Sequence, residues 1–285
     1  MTCPHVEPFF HEQSSTWTYV VHDGEAAAVV DPAVDFDFPS GRADPTPVVR
    51  VAEFLESKGL TLQWILETHA HADHLSGAPW LKARLGGQAA IGEGIRGVQA
   101  TFKDLLALEP GFATDGSQFD RLFGDGEIFR IGSLEARVMA TPGHTNDSVT
   151  YLVGDAAFVG DTIFMPDGGT ARCDFPGGDA SVLYASIQGL YALPADTRIF
   201  VCHDYAPGGR ELCCETSVAA QRQANIHVRD GVSQAEFVAL REGRDATLAV
   251  PRLLYPSVQV NVRAGQPPPA GANGRRYLTL PYQPA

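Results

Sequence analysis

Leu66-Glu67-Thr68-His69-Ala70-His71-Ala72-Asp73-His74-Leu75 sets three histidines and an aspartate within six consecutive positions. The His-x-His-x-Asp-His spacing follows directly on Leu62 to Leu66 (L-Q-W-I-L), a short apolar run of the kind that forms a buried strand. Side chains alternate along a strand, so His69 and His71 can share a face, and a turn through Ala72 and Asp73 can bring His74 to the same cavity. Imidazole nitrogens and a carboxylate are ligands of borderline hardness, suited to Zn, Fe or Mn rather than to Ca or Mg. The stretch is therefore read as a metal site built where a strand stops.

Upstream, Thr16 to His22 and Ala26 to Val30 are strand-like runs joined at Asp23-Gly24, a hairpin signal, and Asp31-Pro32 ends the second run. After a Pro-rich loop, Thr46-Pro47 opens a helix through about Lys58, stopped by Gly59. Downstream, a short helix over Ala78 to Leu85 leads into a strand over Gln88 to Ile91, whereas residues 92 to 118 carry no clear pattern. Glu127 to Ile131 and Leu134 to Ala140 form a hairpin through Gly132-Ser133 that delivers the chain to Thr141-Pro142-Gly143-His144-Thr145. Val149 to Val153 and Ala156 to Val159 form another, ending at Gly160-Asp161-Thr162. Asp179 caps a helix to about Gly189, and a strand over Arg198 to Val201 ends in Cys202-His203-Asp204-Tyr205. A helix is expected from about Glu211 to Asn225, and the capping box Ser233-Gln234-Ala235-Glu236 opens a last helix to about Glu242. The order of elements suggests two β-rich layers with helices outside. Four strand ends carry the polar residues His69, His71, Asp73 and His74; His144; Asp161; and His203. Loops held at the edge of a rigid scaffold are where sites are built.

Composition narrows the function. With 44% hydrophobic and 19% charged residues in 285, the chain is an ordinary globular protein, and its net charge of −13 argues against a nucleic-acid surface. The amino terminus does not read as a secretory signal, and no run approaches the roughly 18 apolar residues that span a bilayer. Five irregularly spaced cysteines suggest reduced thiols and a cytoplasmic setting.

These motifs, in this order, resemble the metallo-β-lactamase superfamily over roughly residues 15 to 225: H-x-H-x-D-H at His69 to His74, P-G-H-T at Pro142 to Thr145, G-D-T at Gly160 to Thr162 and H-D-Y at His203 to Tyr205. The resemblance implies an α/β fold, a four-layer αββα sandwich with a C-terminal extension. A core over residues 1–225 and an extension over 226–285 packed on the same domain are expected. Within the superfamily, T-N-D-S-V-T-Y from Thr145, A-R-C-D-F from Ala171, R-D-A-T-L from Arg244 and P-S-V-Q-V-N-V-R-A-G from Pro256 look like the persulfide dioxygenases, similar in turn to the glyoxalase II thioesterases. Two departures stand out: glyoxalase II enzymes usually carry a second histidine soon after P-G-H-T, where this chain has Asn146-Asp147-Ser148, and many relatives have glycine at Ala171.

The dioxygenase resemblance implies one Fe(II) per chain on His69, His144 and Asp161, with His71, Asp73, His74 and His203 as outer groups or as a second metal site. It implies glutathione persulfide and O2 as substrates, sulfite and glutathione as products, and a homodimer by analogy of fold. Arg172, Tyr205 and Arg263 are the candidates for binding the substrate. The alternatives are a two-metal thioesterase of glyoxalase II type, in which all seven side chains are ligands and Asp161 bridges the ions, and a metal-stabilised binding module.

Overall fold

Thr16–His22 reads T-W-T-Y-V-V-H, and its alternate residues part to opposite faces. Tyr19 and Val21 enter a core shared by two sheets, while Val20 enters a core under helices. That division, repeated along the chain, makes the layers. The computed structural model describes residues 3–282.

In chain order the first half comprises β1 (His5–His11), β2 (Thr16–His22), β3 (Ala26–Val30), β4 (Ala33–Asp37), β5 (Arg42–Asp44), α1 (Thr46–Lys58), β6 (Thr61–Leu66), β7 (Leu75–Ser76), α2 (Ala78–Leu85), β8 (Gln88–Gly92), α3 (Ile95–Leu105) and β9 (Arg121–Phe123). The second comprises β10 (Ile128–Ile131), β11 (Leu134–Ala140), β12 (Val149–Val153), β13 (Ala156–Phe158), α4 (Ala180–Tyr191), β14 (Arg198–Phe200), β15 (Glu215–Ser217), α5 (Val218–Ala224), α6 (Gln234–Asp245) and α7 (Leu254–Asn261). One six-stranded sheet runs β1-β2-β3-β6-β8-β9, the other β10-β11-β12-β13-β14-β15, and a three-stranded sheet β5-β4-β7 stands beside them.

Between the six-stranded sheets Tyr19, Leu66 and Phe123 meet Phe129, Tyr151, Phe158 and Phe200. Outside the first sheet, Val29, Leu62 and Ile65 pack under Val51 and Leu55 of α1 and Leu81 of α2. Outside the second, Ala157 and Ile199 pack under Leu183 and Ile187 of α4, with Val218 and Phe237 beyond. The architecture is the αββα sandwich that the motifs imply. Residues 234–261 supply α6, which joins the helical layer over the second sheet, and α7, whose Val258 packs with Ile95 and Phe102 of α3.

Strand direction places the site. β3 and β6 are parallel, β13 and β14 are parallel, and β11 runs the same way as β13 because both are antiparallel to β12. Within each sheet these carboxyl ends therefore open at one edge. The two edges are tied together there by Val149 N–H on Thr68 O (2.9 Å) and Trp17 N–H on Cys202 O (2.7 Å).

At the other end of β2 a second tie joins the sheets. The Asp23 carboxylate accepts from the backbone N–H of Glu25 (2.9 Å), Ala26 (2.8 Å) and Ser133 (2.6 Å) and from the Ser133 hydroxyl (2.9 Å). The Ser133, Ala26 and Glu25 N–H groups hold it well below the usual carboxylate range. A depressed folded-state value contributes stability above the unfolded value of about 4 and loses it as the pH falls below. Asp23→Asn is expected to be less stable than wild type at pH 7 and to narrow that gap at pH 2, read by urea denaturation at both.

Three expectations change. The helix expected from Glu211 is the strand β15 followed by the short α5, whose cap is Ser217 accepting from Ala220 N–H (3.2 Å). The capping box at Ser233 forms, yet α6 is not the last helix, since α7 follows. The segment read as a Pro-rich loop before α1 holds β4 and β5, because Val34 and Phe36 are buried against α1 and α2.

Candidate metal centre

The chain reaches the site through two glycines that no other residue replaces easily. Gly143 has φ +134, and a Cβ there would lie 2.3 Å from Leu183 N; Gly160 has φ +52, and its Cβ would lie 2.5 Å from the Thr68 hydroxyl. They allow His144 and Asp161 to approach the first loop closely.

His69, His144 and Asp161 converge, their ligand atoms lying within 4.8 Å of one another. His69 Nε2 is 3.9 Å and His144 Nε2 3.6 Å from Asp161 Oδ2. Each ring is held by its far nitrogen. His144 Nδ1 donates to the Arg172 carbonyl (2.7 Å). His69 Nδ1 lies 3.0 Å from the Thr68 hydroxyl, which itself donates to Asp31 Oδ2 (2.9 Å) and so accepts from the ring. Both rings therefore present a lone pair at Nε2. Among the described residues His69 Nε2, His71 Nε2, His74 Nε2 and Asp161 Oδ1 are buried without hydrogen-bond partners, an arrangement that is costly unless a cation is bound beside them. Burial opposes the Asp161 charge, but His203, His69 and His144 hold its carboxyl well below the usual range. The donor set fits one transition-metal ion with open positions.

The other four candidates are near but differently engaged. His203 Nε2 is 3.3 Å from Asp161 Oδ1 and 3.5 Å from Asp73 Oδ2, and its Nδ1 faces the Ser15 carbonyl at 3.2 Å. His74 Nδ1 is 3.3 Å from Asp73 Oδ2. His71 turns away from Asp161: its Nε2 lies 3.0 Å from Asp31 Oδ1 and 3.6 Å from Glu67 Oε2. Burial works against a charged ring there, yet Asp31 and Glu67 hold it up at about 9, and burial lifts Glu67 to about 7.

Asp31 is a residue of the cluster that the sequence disguises as a turn. Its backbone has φ 50, uncommon for a non-glycine residue, and its carboxylate accepts from Thr68 N–H (2.7 Å) and the Thr68 hydroxyl while facing His71. Asp147 plays a similar part, accepting from Ala70 N–H (2.8 Å). Cys202 and Cys173 are buried thiols, the latter pushed up to about 12 by burial, as small core residues would be.

A cavity of about 340 Å³ opens over Asp161, His144 and His203, walled by Phe164, Phe175 and Leu248. Tyr205 is on this wall, exposed and stacked on His203. Arg172 also lines it, but its guanidinium is taken by Asp174 (2.6 Å) and the Ala249 carbonyl (2.8 Å). Arg263 does not belong to the cavity. It is 7% exposed, with both arms on Glu109 (2.7 and 2.8 Å) and its charge 4.3 Å over Phe112, so a structural role replaces the expected substrate contact. Arg244, which carries no signal in the sequence, supplies further positive charge in the wall; Arg241 lines it too, but is 2% exposed and pairs with Asp245. An i, i+3 pair of arginines in an exposed-looking helix is no signal in itself.

Comparison with known proteins agrees with this geometry. The profile of the Metallo-beta-lactamase superfamily matches residues 12–203. A "Beta-lactamase hydrolase-like protein" of Xylella fastidiosa is 49% identical over 98% of this chain, which spans only 64% of that relative's length. "Glyoxylase B2" of Dictyostelium discoideum is 46% identical over 97% of the chain and 96% of its own length. The mitochondrial "Persulfide dioxygenase ETHE1" of Mus musculus is 28% identical over 92% of the chain and 89% of its own length. The crystal structure of ETHE1 from Myxococcus xanthus superposes with a TM-score of 0.73 at 30% identity, over 92% of this chain and all of that one. With its matching profile, its two sheets between helices and its cluster of histidines and aspartates at one sheet edge, the chain belongs to the metallo-β-lactamase superfamily.

Proposed function

We propose that the protein is a persulfide dioxygenase that holds one Fe(II) on His69, His144 and Asp161 and oxidises glutathione persulfide with O2 and one water to sulfite, glutathione and two protons. The observation that carries the reading is how the histidines are shared out. Two face Asp161 with free Nε2 atoms, whereas the Nε2 of His71, which a fuller ligand set needs, lies 3.0 Å from Asp31 Oδ1 and 3.6 Å from Glu67 Oε2. A face of two imidazoles and one carboxylate leaves up to three positions for small ligands. Fe(II) bound there would supply the redox chemistry that ground-state O2 needs to react with closed-shell sulfur. The 28% identical mouse persulfide dioxygenase supports the same reading.

The chain's own residues do the rest. The Arg172 carbonyl and Thr68 hydroxyl fix the two ring tautomers, and Phe164, Phe175 and Leu248 give the reacting sulfur an apolar wall. Arg244 and the Tyr205 hydroxyl lie where the carboxylates and amides of a glutathione moiety would extend. A homodimer in a reducing cytoplasm completes the proposal.

A second reading, a two-metal thioesterase, is favoured by the hydrolase and glyoxylase names of the 46–49% identical relatives. It is also favoured by the proximity of His71, Asp73 and His74, whose ligand atoms lie within 4.8 Å of one another. Metal analysis of freshly purified protein, with an oxygen-electrode trace on glutathione persulfide, separates the two. One iron per chain with persulfide-dependent O2 uptake is expected. Two ions per chain with thioester cleavage and no O2 uptake would replace it with the hydrolase.

A further inference from the structure

We infer that the segment after residue 225 is a clamp on the metal centre, with Asn261 and the Arg241–Asp245 pair as positioning residues. They grip from outside the loop that carries His69 and the segment whose Arg172 carbonyl holds His144. The inference rests on the reading of His69, His144 and Asp161 as ligands, and not on which reaction follows.

The first jaw is Asn261 of α7, 4% exposed. Its Nδ2 donates to the carbonyls of His71 and His74, each at 2.8 Å, and its Oδ1 accepts from Ser76 N–H at 2.9 Å. Both amide protons and the carbonyl are therefore spent on the backbone of one irregular loop, from 185 to 190 residues away in the chain. Buried loop carbonyls lack the sheet partners that would otherwise satisfy them, so this one side chain substitutes for a strand.

The second jaw is on α6. Arg241, 2% exposed, donates to the Thr170 carbonyl (3.1 Å) and pairs with Asp245 one turn on; Asp245 in turn accepts from Cys173 N–H (2.8 Å). Between those two anchor points lies Arg172, whose carbonyl fixes His144 in the tautomer that frees Nε2. The pair thus acts on the ligand through the loop, without touching it. Together the jaws hold the loop after β6 and the partner of the loop after β11, the two sides between which the ion would lie.

If these were ordinary core residues, their loss would lower stability and leave the affinity of the folded protein for metal unchanged. The test is titration of the full-length, metal-free protein with Co(II), read by its visible spectrum and by competition with a chelator. Asn261→Ala is compared with Val258→Ala, a packing change on the same helix. The expected result is an affinity for Co(II) about 10- to 100-fold lower in N261A, with an altered spectrum, and unchanged affinity in V258A at equal or greater loss of Tm. Should N261A not fold, Arg241→Lys keeps a charge opposite Asp245 while shortening the reach to Thr170, and a roughly tenfold loss is expected. Wild-type affinity in the folded variant, or equal losses in N261A and V258A, would overturn the clamp. Because no substrate is present, the clamp and the dioxygenase reading fail separately.

Discussion

Asp161→Ala is expected to leave the protein with little bound metal and no measurable turnover. Asp161 is the carboxylate that both free Nε2 atoms face, and its buried Oδ1 has no hydrogen-bond partner among the described residues. Removing it takes away the charge that offsets the cation as well as one ligand. The loss of affinity should therefore exceed the roughly 10- to 100-fold typical of outer hydrogen-bonding partners. Asp73→Ala is the control. Asp73 contacts His74 and His203, not His69 or His144, so a single-ion site keeps most of its metal when Asp73 is lost. Atomic absorption on both variants decides: equal metal loss would mean that Asp73 is itself a ligand and the site holds two ions.

The second large effect is expected at Asp31. Asp31→Asn retains the shape and tolerates the left-handed backbone, but removes the charge opposite a buried His71 ring held near 9. Breaking one side of a buried pair costs about 3–5 kcal/mol, a large share of the roughly 5–15 kcal/mol that stabilises a native domain. At about 2–4 °C per kcal/mol the melting temperature should fall by on the order of 10 °C. In the folded fraction His71 is released from Asp31, and metal content is expected to rise above one ion per chain. A melting temperature within a degree or two of wild type would show that Asp31 and His71 are not an energetic pair.

Much of the site is readable in sequence because each proposed ligand stands three or four residues after a short strand. His69 follows Leu62 to Leu66, His144 follows Leu134 to Ala140, and Asp161 follows Ala156 to Phe158. Local pattern suffices when the functional residue is adjacent to the element that aims it. It fails when the partner is remote. Asp31 looks like the turn before Pro32 until Thr68 and His71 arrive beside it, and Arg263 looks available until Glu109, 154 residues earlier, takes both its arms. Asn261 sits among valines with no local reason to be polar, because its partners are three backbone groups of the metal loop. The helix α3 is hidden for a different reason: Gly97 and Thr101 interrupt its helical propensity, and only the burial of Ile95, Val98 and Phe102 secures it.

The proposed ligands come from different sheets: His69 hangs from the first, His144 and Asp161 from the second. An ion held by all three would rivet the seam between the halves, stabilising the fold by about 2.7 kcal/mol at a free concentration one hundred times its dissociation constant. Chelation would then loosen the whole molecule as well as silence it. The amount of folded protein in a cell would track metal supply, and scarcity would be registered first as turnover of the polypeptide.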